Sequence, residues 1–140
     1  EDPMVVVAGL ENPWARRRKI KLSELVNEPW TWPAAGTVFD SLVVEAFRAN
    51  GVDPPRATIY ADAYSLRIRL AATGHFLAIV PASIMKFPGT PASIKVLPLD
   101  LPTTRRQIGI ITLKNRTLSP LAQLFIEAAR EVAKPLAKNR

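Results

Sequence analysis

The sequence contains no cysteine and only one histidine among its 140 residues. The absence of cysteine excludes a disulfide framework, a thiolate zinc site and a cysteine nucleophile. A single histidine excludes a paired-histidine metal site and leaves little acid–base chemistry near neutral pH. Dinucleotide-binding and Walker glycine loops are missing, and the aspartates are scattered along the chain. We therefore expect neither a metal nor any other cofactor.

Long apolar runs are also missing. No run approaches the ~18 residues that a membrane-spanning helix needs, and no signal peptide is recognisable. We expect no membrane partner. The chain does not begin with Met and reaches a strand-like run within a few residues. We expect it to be a piece cut from a longer protein, with a tag or processing as the alternative origin of this start.

The composition is that of a folded, basic domain. Apolar residues make up 48% of the chain, which argues against intrinsic disorder, and 140 residues suit one domain or one and part of another. Nineteen Lys and Arg against twelve Asp and Glu give a net charge of +7, which favours anionic partners. The densest positive run, residues 16–19, lacks interleaved aromatic residues, so we interpret it as a solvated loop rather than a nucleic-acid contact.

Strand-like and helix-like patterns alternate along the chain. Strands are predicted at residues 4–8, 30–32, 57–61, 76–80, 94–97 and 108–113. Helices are predicted after Thr37, after Ser65 and after Ser119, each of which can act as an N-cap, and the last helix ends near Pro135. This alternation predicts an α/β fold with a mixed, mostly parallel sheet flanked by helices.

Two loops of this predicted fold are candidate binding sites. In open α/β sheets, ligands bind at the carboxyl ends of strands, against helix N-termini. The loop after the second strand comprises Pro33, Ala34, Ala35, Gly36 and Thr37, and the loop after the third comprises Asp62, Ala63, Tyr64 and Ser65. Both offer backbone N–H groups and a hydroxyl, which suit an anion or a small polar molecule. A cap hydroxyl beside a cleft can serve the helix and the ligand together.

Other residues permit two interpretations. Trp30 and Trp32 share one side of their strand, where they either pack in the core or wall a ligand cleft beside Gly36. His75 could be grouped with nearby serines and aspartates as a hydrolytic triad, but no Gly-x-Ser-x-Gly elbow surrounds either Ser65 or Ser83. We therefore predict no catalytic residue.

The order of segments resembles that of LysR-type transcriptional regulators. Residues 4–9 followed by Asn-Pro-Trp-Ala-Arg are similar to the family passage V-x-x-G-x-x-H-P-L-A. Residues 70–81 (LAATGHFLAIVP) resemble the signature L-V-A-A-G-x-G-x-A-L-L-P, and residues 118–126 resemble the final helix of the family. The chain departs from the pattern at Asn12 and Trp14, which replace the usual His and Leu, and at Thr73 and Phe76, which replace Ala and Gly.

The resemblance implies a non-enzymatic effector-binding domain of the periplasmic-binding-protein type 2 fold. Residues 4–99 would form its second lobe, and residues 100–140 a crossover strand and helix that return to a first lobe missing from this chain. A small, often anionic metabolite would bind between the lobes at the two loops given above. The resemblance further implies a cytoplasmic bacterial homodimer or homotetramer that binds DNA through a winged helix-turn-helix absent here. The helix at 38–50 would be available for subunit pairing, and the strands at 4–8 and 108–112 would form the hinge.

Two alternative functions stay open at this point. A periplasmic-type solute-binding protein of a transporter uses the same fold, and the charge of +7 permits a basic nucleic-acid-binding domain. The sequence does not identify the effector, the regulated genes or the sign of regulation. The final helix has an apolar stripe (Leu121, Leu124, Phe125 and Val132). It should pack against a neighbouring chain or leave its usual place, because most of its partner sheet would be missing.

Overall fold

A computed structural model describes residues 1–101, 104–105 and 107–137, the side chains of residues 136 and 137 excepted. One compact unit comprises residues 2–105, and the second comprises residue 1 and the described residues after 105. The first unit contains the strands β1 (Met4–Gly9), β2 (Trp30–Trp32), β3 (Ile59–Tyr60), β4 (Leu77–Pro81) and β5 (Ile94–Val96) and the helices α1 (Val38–Ala49) and α2 (Tyr64–Ala72). The second unit contains α3 (Pro120–Ala137). No helix in the described ranges is long and apolar enough to cross a membrane.

The five strands form one mixed sheet in the order β3-β2-β4-β1-β5. β2 runs parallel to β3 and β4, whereas β1 runs antiparallel to β4 and β5. The mixed sheet was predicted, but parallel pairing does not predominate, because β1 enters the sheet between two strands of opposite direction. The carboxyl ends of β2, β3 and β4 therefore share one end of the sheet with the start of β1. We call the segments 33–37, 62–65 and 82–83, which follow these three strands, the strand-end edge.

Helices cover both faces of the sheet. Side chains of β1 alternate, so that Val6 packs on the face covered by α1, and Val7 on the face covered by α2. Trp30 and Trp32 are both buried on the α1 face, and the Trp30 ring lies 5.7 Å from that of Phe47, edge to face. The core-packing interpretation of the two tryptophans is therefore confirmed. Such aromatic pairs contribute roughly 0.5–1.5 kcal/mol beyond the burial of their area.

The predicted helix boundaries are mostly confirmed. The Thr37 hydroxyl caps α1 by accepting from the amide of Asp40 at 3.1 Å, and the Ser119 hydroxyl caps α3 by accepting from the amide of Ala122 at 3.2 Å. The prediction for Ser65 is wrong. The N-cap of α2 is Ala63, two residues earlier, and the first turn closes on the Ala63 carbonyl without a side-chain cap. α3 also continues past Pro135, which lies in its final turn, where a missing N–H removes a single helical hydrogen bond.

The predicted strand at residues 108–113 is not a strand in the described part of the chain. A strand forms only where a neighbouring strand satisfies its backbone groups, and this segment makes no ladder pairing among the described residues. Ile108 is 75% exposed and Ile111 is 97% exposed. The β-branched composition of this segment is typical of a strand, but composition alone does not tell whether a neighbouring strand is available to pair with it. β3 is likewise shorter than its predicted range of 57–61, with two residues in register with β2.

Candidate functional site

The two predicted binding loops meet at the strand-end edge. β2 and β3 are adjacent and parallel, with Trp32 opposite Tyr60, so the loops that follow them leave the sheet side by side. The amide of Ala34 donates to Asp62 Oδ1 at 3.0 Å. The rings of Phe39 and Tyr64 contact edge to face, with centroids 5.6 Å apart. A hydrogen bond and a ring contact thus join the segments that sequence reasoning treated as separate candidates.

The Asp40 carboxylate holds the first loop in place. One of its oxygens accepts from the amide of Gly36 at 2.8 Å, and the other accepts from the Trp32 indole at 2.8 Å. The Thr37 hydroxyl donates to the Ala34 carbonyl at 2.8 Å, in addition to capping α1. The loop therefore offers fewer free donors than the sequence led us to expect, because the amides of Ala34, Gly36 and Thr37 are all hydrogen-bonded.

The donors that remain include those at the start of the two helices. Among the described residues, the amides of Val38 and Phe39 in α1 and of Tyr64 and Ser65 in α2 make no hydrogen bond. Such first-turn amides have no partner inside their own helix, and the helix dipole makes them attractive to negative charge. Two helix N-termini therefore present unpaired donors at one end of the sheet.

The predicted site residues differ in their accessibility. Gly36 has a φ of +78°, a left-handed conformation that favours glycine, and a Cβ placed there would meet no atom within 4 Å. Of the nine predicted residues, one is buried (Pro33), three are half-buried (Ala34, Thr37 and Tyr64) and five are exposed (Ala35, Gly36, Asp62, Ala63 and Ser65).

Arg67 lies at the same edge and was missed by sequence reasoning. The side chain is only 1% exposed, and its Nη1 donates to the Ile79 carbonyl of β4 at 2.8 Å. The guanidinium carbon lies 4.6 Å from the centre of the Tyr64 ring. The sequence feature that could have revealed its burial is the helical spacing of Tyr64, Arg67, Ile68 and Ala71, which places all four residues on one face of the helix. Leu66, the residue before Arg67 in the chain, is 47% exposed.

Burial shifts the pKa values of both members of this pair. It raises the pKa of Tyr64 above its usual value of 10.0, an effect that the charge of Arg67 opposes and that Asp2 and Asp62 reinforce. It lowers the pKa of Arg67, against the opposing influence of Tyr64 and Asp62. Tyr64 is therefore a neutral hydroxyl at neutral pH, beside a guanidinium that keeps its charge.

The third segment of the edge follows β4. The amide and hydroxyl of Ser83 donate to the two carboxylate oxygens of Asp2 at 2.9 and 2.6 Å. His75 precedes β4, so the whole strand, roughly 16 Å long, separates it from Ser83. The residues of the imagined triad are not assembled, and within the described ranges no three His, Asp or Glu residues are grouped to hold a metal.

The basic run lies away from this site. Residues 16–19 are exposed and follow the carboxyl end of β1, whereas the strand-end edge adjoins its start. The guanidinium of Arg17 lies over the Trp14 ring at 5.7 Å. This arrangement fits the interpretation of the run as a solvated loop.

Comparison with known proteins gives a consistent result. The model of the LysR substrate binding domain matches residues 1–134. The transcriptional dual regulator GltC of Bacillus subtilis (strain 168) is 27% identical over 126 residues, which are 90% of this chain and 41% of GltC. The chain spans 33–41% of the length of the curated relatives that it matches.

Solved structures show the same fold. The regulatory domain of Synechocystis PCC6803 CcmR, in complex with 2-PG, has a TM-score of 0.74 at 21% identity and covers 95% of this chain and 64% of its own. The effector binding domain of BenM, with its effector benzoate, has a TM-score of 0.65 at 18% identity, over 100% of this chain and 64% of its own.

The predicted periplasmic-binding-protein-like α/β fold is thereby confirmed, and the matched relatives are transcriptional regulators rather than enzymes. The segment order that first indicated the family agrees with a match that runs over nearly the whole chain. This chain belongs to the family of LysR substrate binding domains.

Proposed function

We propose that this chain forms one wall of an effector cleft in a bacterial transcriptional regulator and binds a small, anionic metabolite at the strand-end edge. The observation that carries the proposal is the hydrogen bond from the Ala34 amide to Asp62, which unites both loops where two helix N-termini leave amides unpaired. Anions bind readily to such helix ends. The complexes of CcmR with 2-PG and of BenM with benzoate support an effector of this kind.

We infer that residues 4–99 form the second lobe, and that residues 100–140 form the crossover and the final helix that return to a first lobe outside this chain. Pro102, Thr103, Arg106 and residues 138–140 of that range lie outside the described residues. Two observations support this division. The chain separates into two units after Arg105, and the second unit bears an open apolar groove of about 840 Å³ lined by residues 110–112, 118–119 and part of α3.

Regulation would follow from a shift between lobe arrangements. An effector that binds one arrangement more tightly shifts the equilibrium toward that arrangement. The free energy of this shift cannot exceed the difference between the binding free energies of the two arrangements. The strand at Val5 and residues 108–112 would form the hinge.

The whole protein would act in the cytoplasm as a homodimer or homotetramer that contacts DNA through a winged helix-turn-helix outside this chain, with α1 available for subunit pairing. The relatives named as HTH-type regulators support this arrangement.

The test compares two glycines at opposite ends of α1. Gly36 and Gly51 both have positive φ, +78° and +70°, and a Cβ added at either would meet no atom within 4 Å, but only Gly36 lies at the strand-end edge. Gly36→Val and Gly51→Val should therefore lose similar stability, about 1–2 kcal/mol. In the full-length protein, only Gly36→Val should lose affinity for a carboxylate effector by isothermal titration, with benzoate as the first ligand tried.

Equal effector affinity in the two variants would show that the first loop is not part of the effector site. A full-length protein whose DNA binding responds to no small carboxylate would contradict the proposed function as a whole.

A further inference from the structure

A positive charge is buried beneath the second loop with part of its hydrogen-bonding capacity unused. Arg67 is 1% exposed, and its Nη1 donates to the Ile79 carbonyl. Its Nε and the hydroxyl of Tyr64 are both buried and, among the described residues, have no hydrogen-bond partner. Buried polar groups are nearly always paired in native proteins, so two unpaired ones, on side chains whose ring and guanidinium contact each other, require an explanation.

The neighbouring carboxylates do not neutralise this charge. Within the described ranges, Arg67 makes no ion pair. Asp62 is exposed and accepts the amide of Ala34, whereas Asp2 accepts both donors of Ser83. The Tyr64 ring, the Ile79 carbonyl and, without an ion pair, the charge of Asp62 offset the loss of water around the guanidinium. A buried cation without a carboxylate partner is costly, and an anion that reached it would recover that cost.

We propose that Arg67 and the Tyr64 hydroxyl form an oxyanion subsite, which receives the carboxylate or phosphate group of the effector when the Tyr64 ring turns aside. This inference rests on the proposed function. Tyr64 is only half-buried and stands in the first turn of α2, so a change of its rotamer can open the path to Arg67. The guanidinium fork and a hydroxyl are both donors, and they match an oxyanion in geometry and charge.

A purely structural role for Arg67 predicts a different behaviour. If Arg67 only held α2 against β4, it would keep its hydrogen bond to Ile79, and its environment would not change when an anion is added. An oxyanion subsite requires that the unpaired Nε–H change its environment when an anion binds. The Nε–H group therefore reports on the subsite directly, independently of any loss of stability in a variant.

The experiment follows the Arg67 Nε–H resonance by NMR in the ¹⁵N-labelled 140-residue chain. Sodium acetate, sodium phosphate and neutral acetamide are titrated at constant ionic strength. Acetate or phosphate should shift the Arg67 resonance, and acetamide should not. Arg67→Met should weaken anion binding roughly tenfold or more, as expected for the loss of a charged hydrogen bond, and Tyr64→Phe by a smaller factor. Arg69→Met, an exposed arginine two residues along the same helix, is the matched control and should leave anion binding unchanged.

The outcomes separate this inference from the proposed function. An Arg67 resonance that none of the solutes shifts overturns the oxyanion subsite. Anion-induced shifts at the amides of Ala34, Val38 or Asp62 without a shift at Arg67 also overturn it, while they leave the proposed effector site intact. The wild-type titration decides the matter even where the Arg67→Met variant does not fold.

Discussion

Asp40 connects the core of the first unit to the candidate site. Its carboxylate accepts one hydrogen bond from a buried tryptophan and another from the loop glycine, both at 2.8 Å. It also stands in the first turn of α1, where the helix dipole favours negative charge. One side chain therefore positions the loop, satisfies the indole of Trp32 and stabilises the helix start.

Replacement of Asp40 tests this role. Asp40→Ala leaves the Trp32 indole N–H without its acceptor, and we expect a loss of about 1–3 kcal/mol in the free energy of unfolding. Urea denaturation followed by tryptophan fluorescence measures the loss. Asp53→Ala, at an exposed aspartate, is the control and should change stability by less than about 0.5 kcal/mol. Equal effects in the two variants would show that the Asp40 bonds contribute nothing measurable.

Tyr64 should make stability depend on pH in the alkaline range. Its pKa is raised in the folded chain by burial, so the unfolded chain loses the hydroxyl proton first as the pH rises past about 10. The folded state then binds more protons than the unfolded state, and stability falls with increasing pH. Tyr64→Phe should abolish this part of the decline between about pH 9 and 11, measured by urea denaturation. Tyr60→Phe, at a tyrosine that is 59% exposed, is the matched control for the loss of one hydroxyl.

At the scale of elements, features that depend on a few neighbouring residues were predicted better than features that depend on contacts with distant parts of the chain. Thr37 and Ser119 were identified as caps because a cap needs only its own helix. The segment 108–113 failed as a strand because a strand needs a neighbour, and Arg67 was missed because charge argues against burial unless the surrounding contacts are known. The two candidate loops were predicted from the strand ends and helix starts in the sequence, and their role as a site stays a prediction. Their contact through Ala34 and Asp62 depends on the β2–β3 register, which no local pattern encodes.

The packing of α2 against β1 depends on a glycine. A Cβ at Gly9 would lie 2.7 Å from the Ala71 carbonyl oxygen and 2.9 Å from the Gly74 nitrogen, both of which are backbone atoms that cannot turn aside. Gly9→Ala should therefore destabilise the first unit by about 2–3 kcal/mol in thermal or urea unfolding. Gly109→Ala, where a Cβ meets nothing within 4 Å, should be nearly neutral. A Gly9→Ala variant as stable as the wild type would mean that the helix end shifts freely.

At the scale of the whole molecule, the second unit presents apolar side chains to solvent. Leu121, Leu124 and Phe125 of α3 are 77%, 62% and 68% exposed. Exposed apolar patches of this kind mark interaction surfaces or aggregation sites. The expectation that this stripe packs against another chain stays a prediction.

The stripe should drive self-association of the 140-residue chain. We expect the mass measured by light scattering to rise with protein concentration. The double variant Leu124→Gln/Phe125→Gln should remain monomeric at concentrations where the wild type associates, because the apolar area has been removed. Arg130→Gln, at an exposed polar position of the same helix, should associate like the wild type. A wild-type mass that stays at 15.4 kDa across the range would refute the prediction.

The position of β1 has a consequence for the order in which the protein folds. Val5 pairs with Val80 and Val7 with Val96, so β1 must wait for partners that are synthesised 75 and 89 residues later. Contacts this distant in sequence slow folding, because a long loop must close before they form. During translation, the backbone groups at both edges of this apolar strand stay unpaired until β4 and β5 have left the ribosome. The nascent chain is thus most vulnerable to misassociation before residue 96 emerges, because its sheet is completed only then.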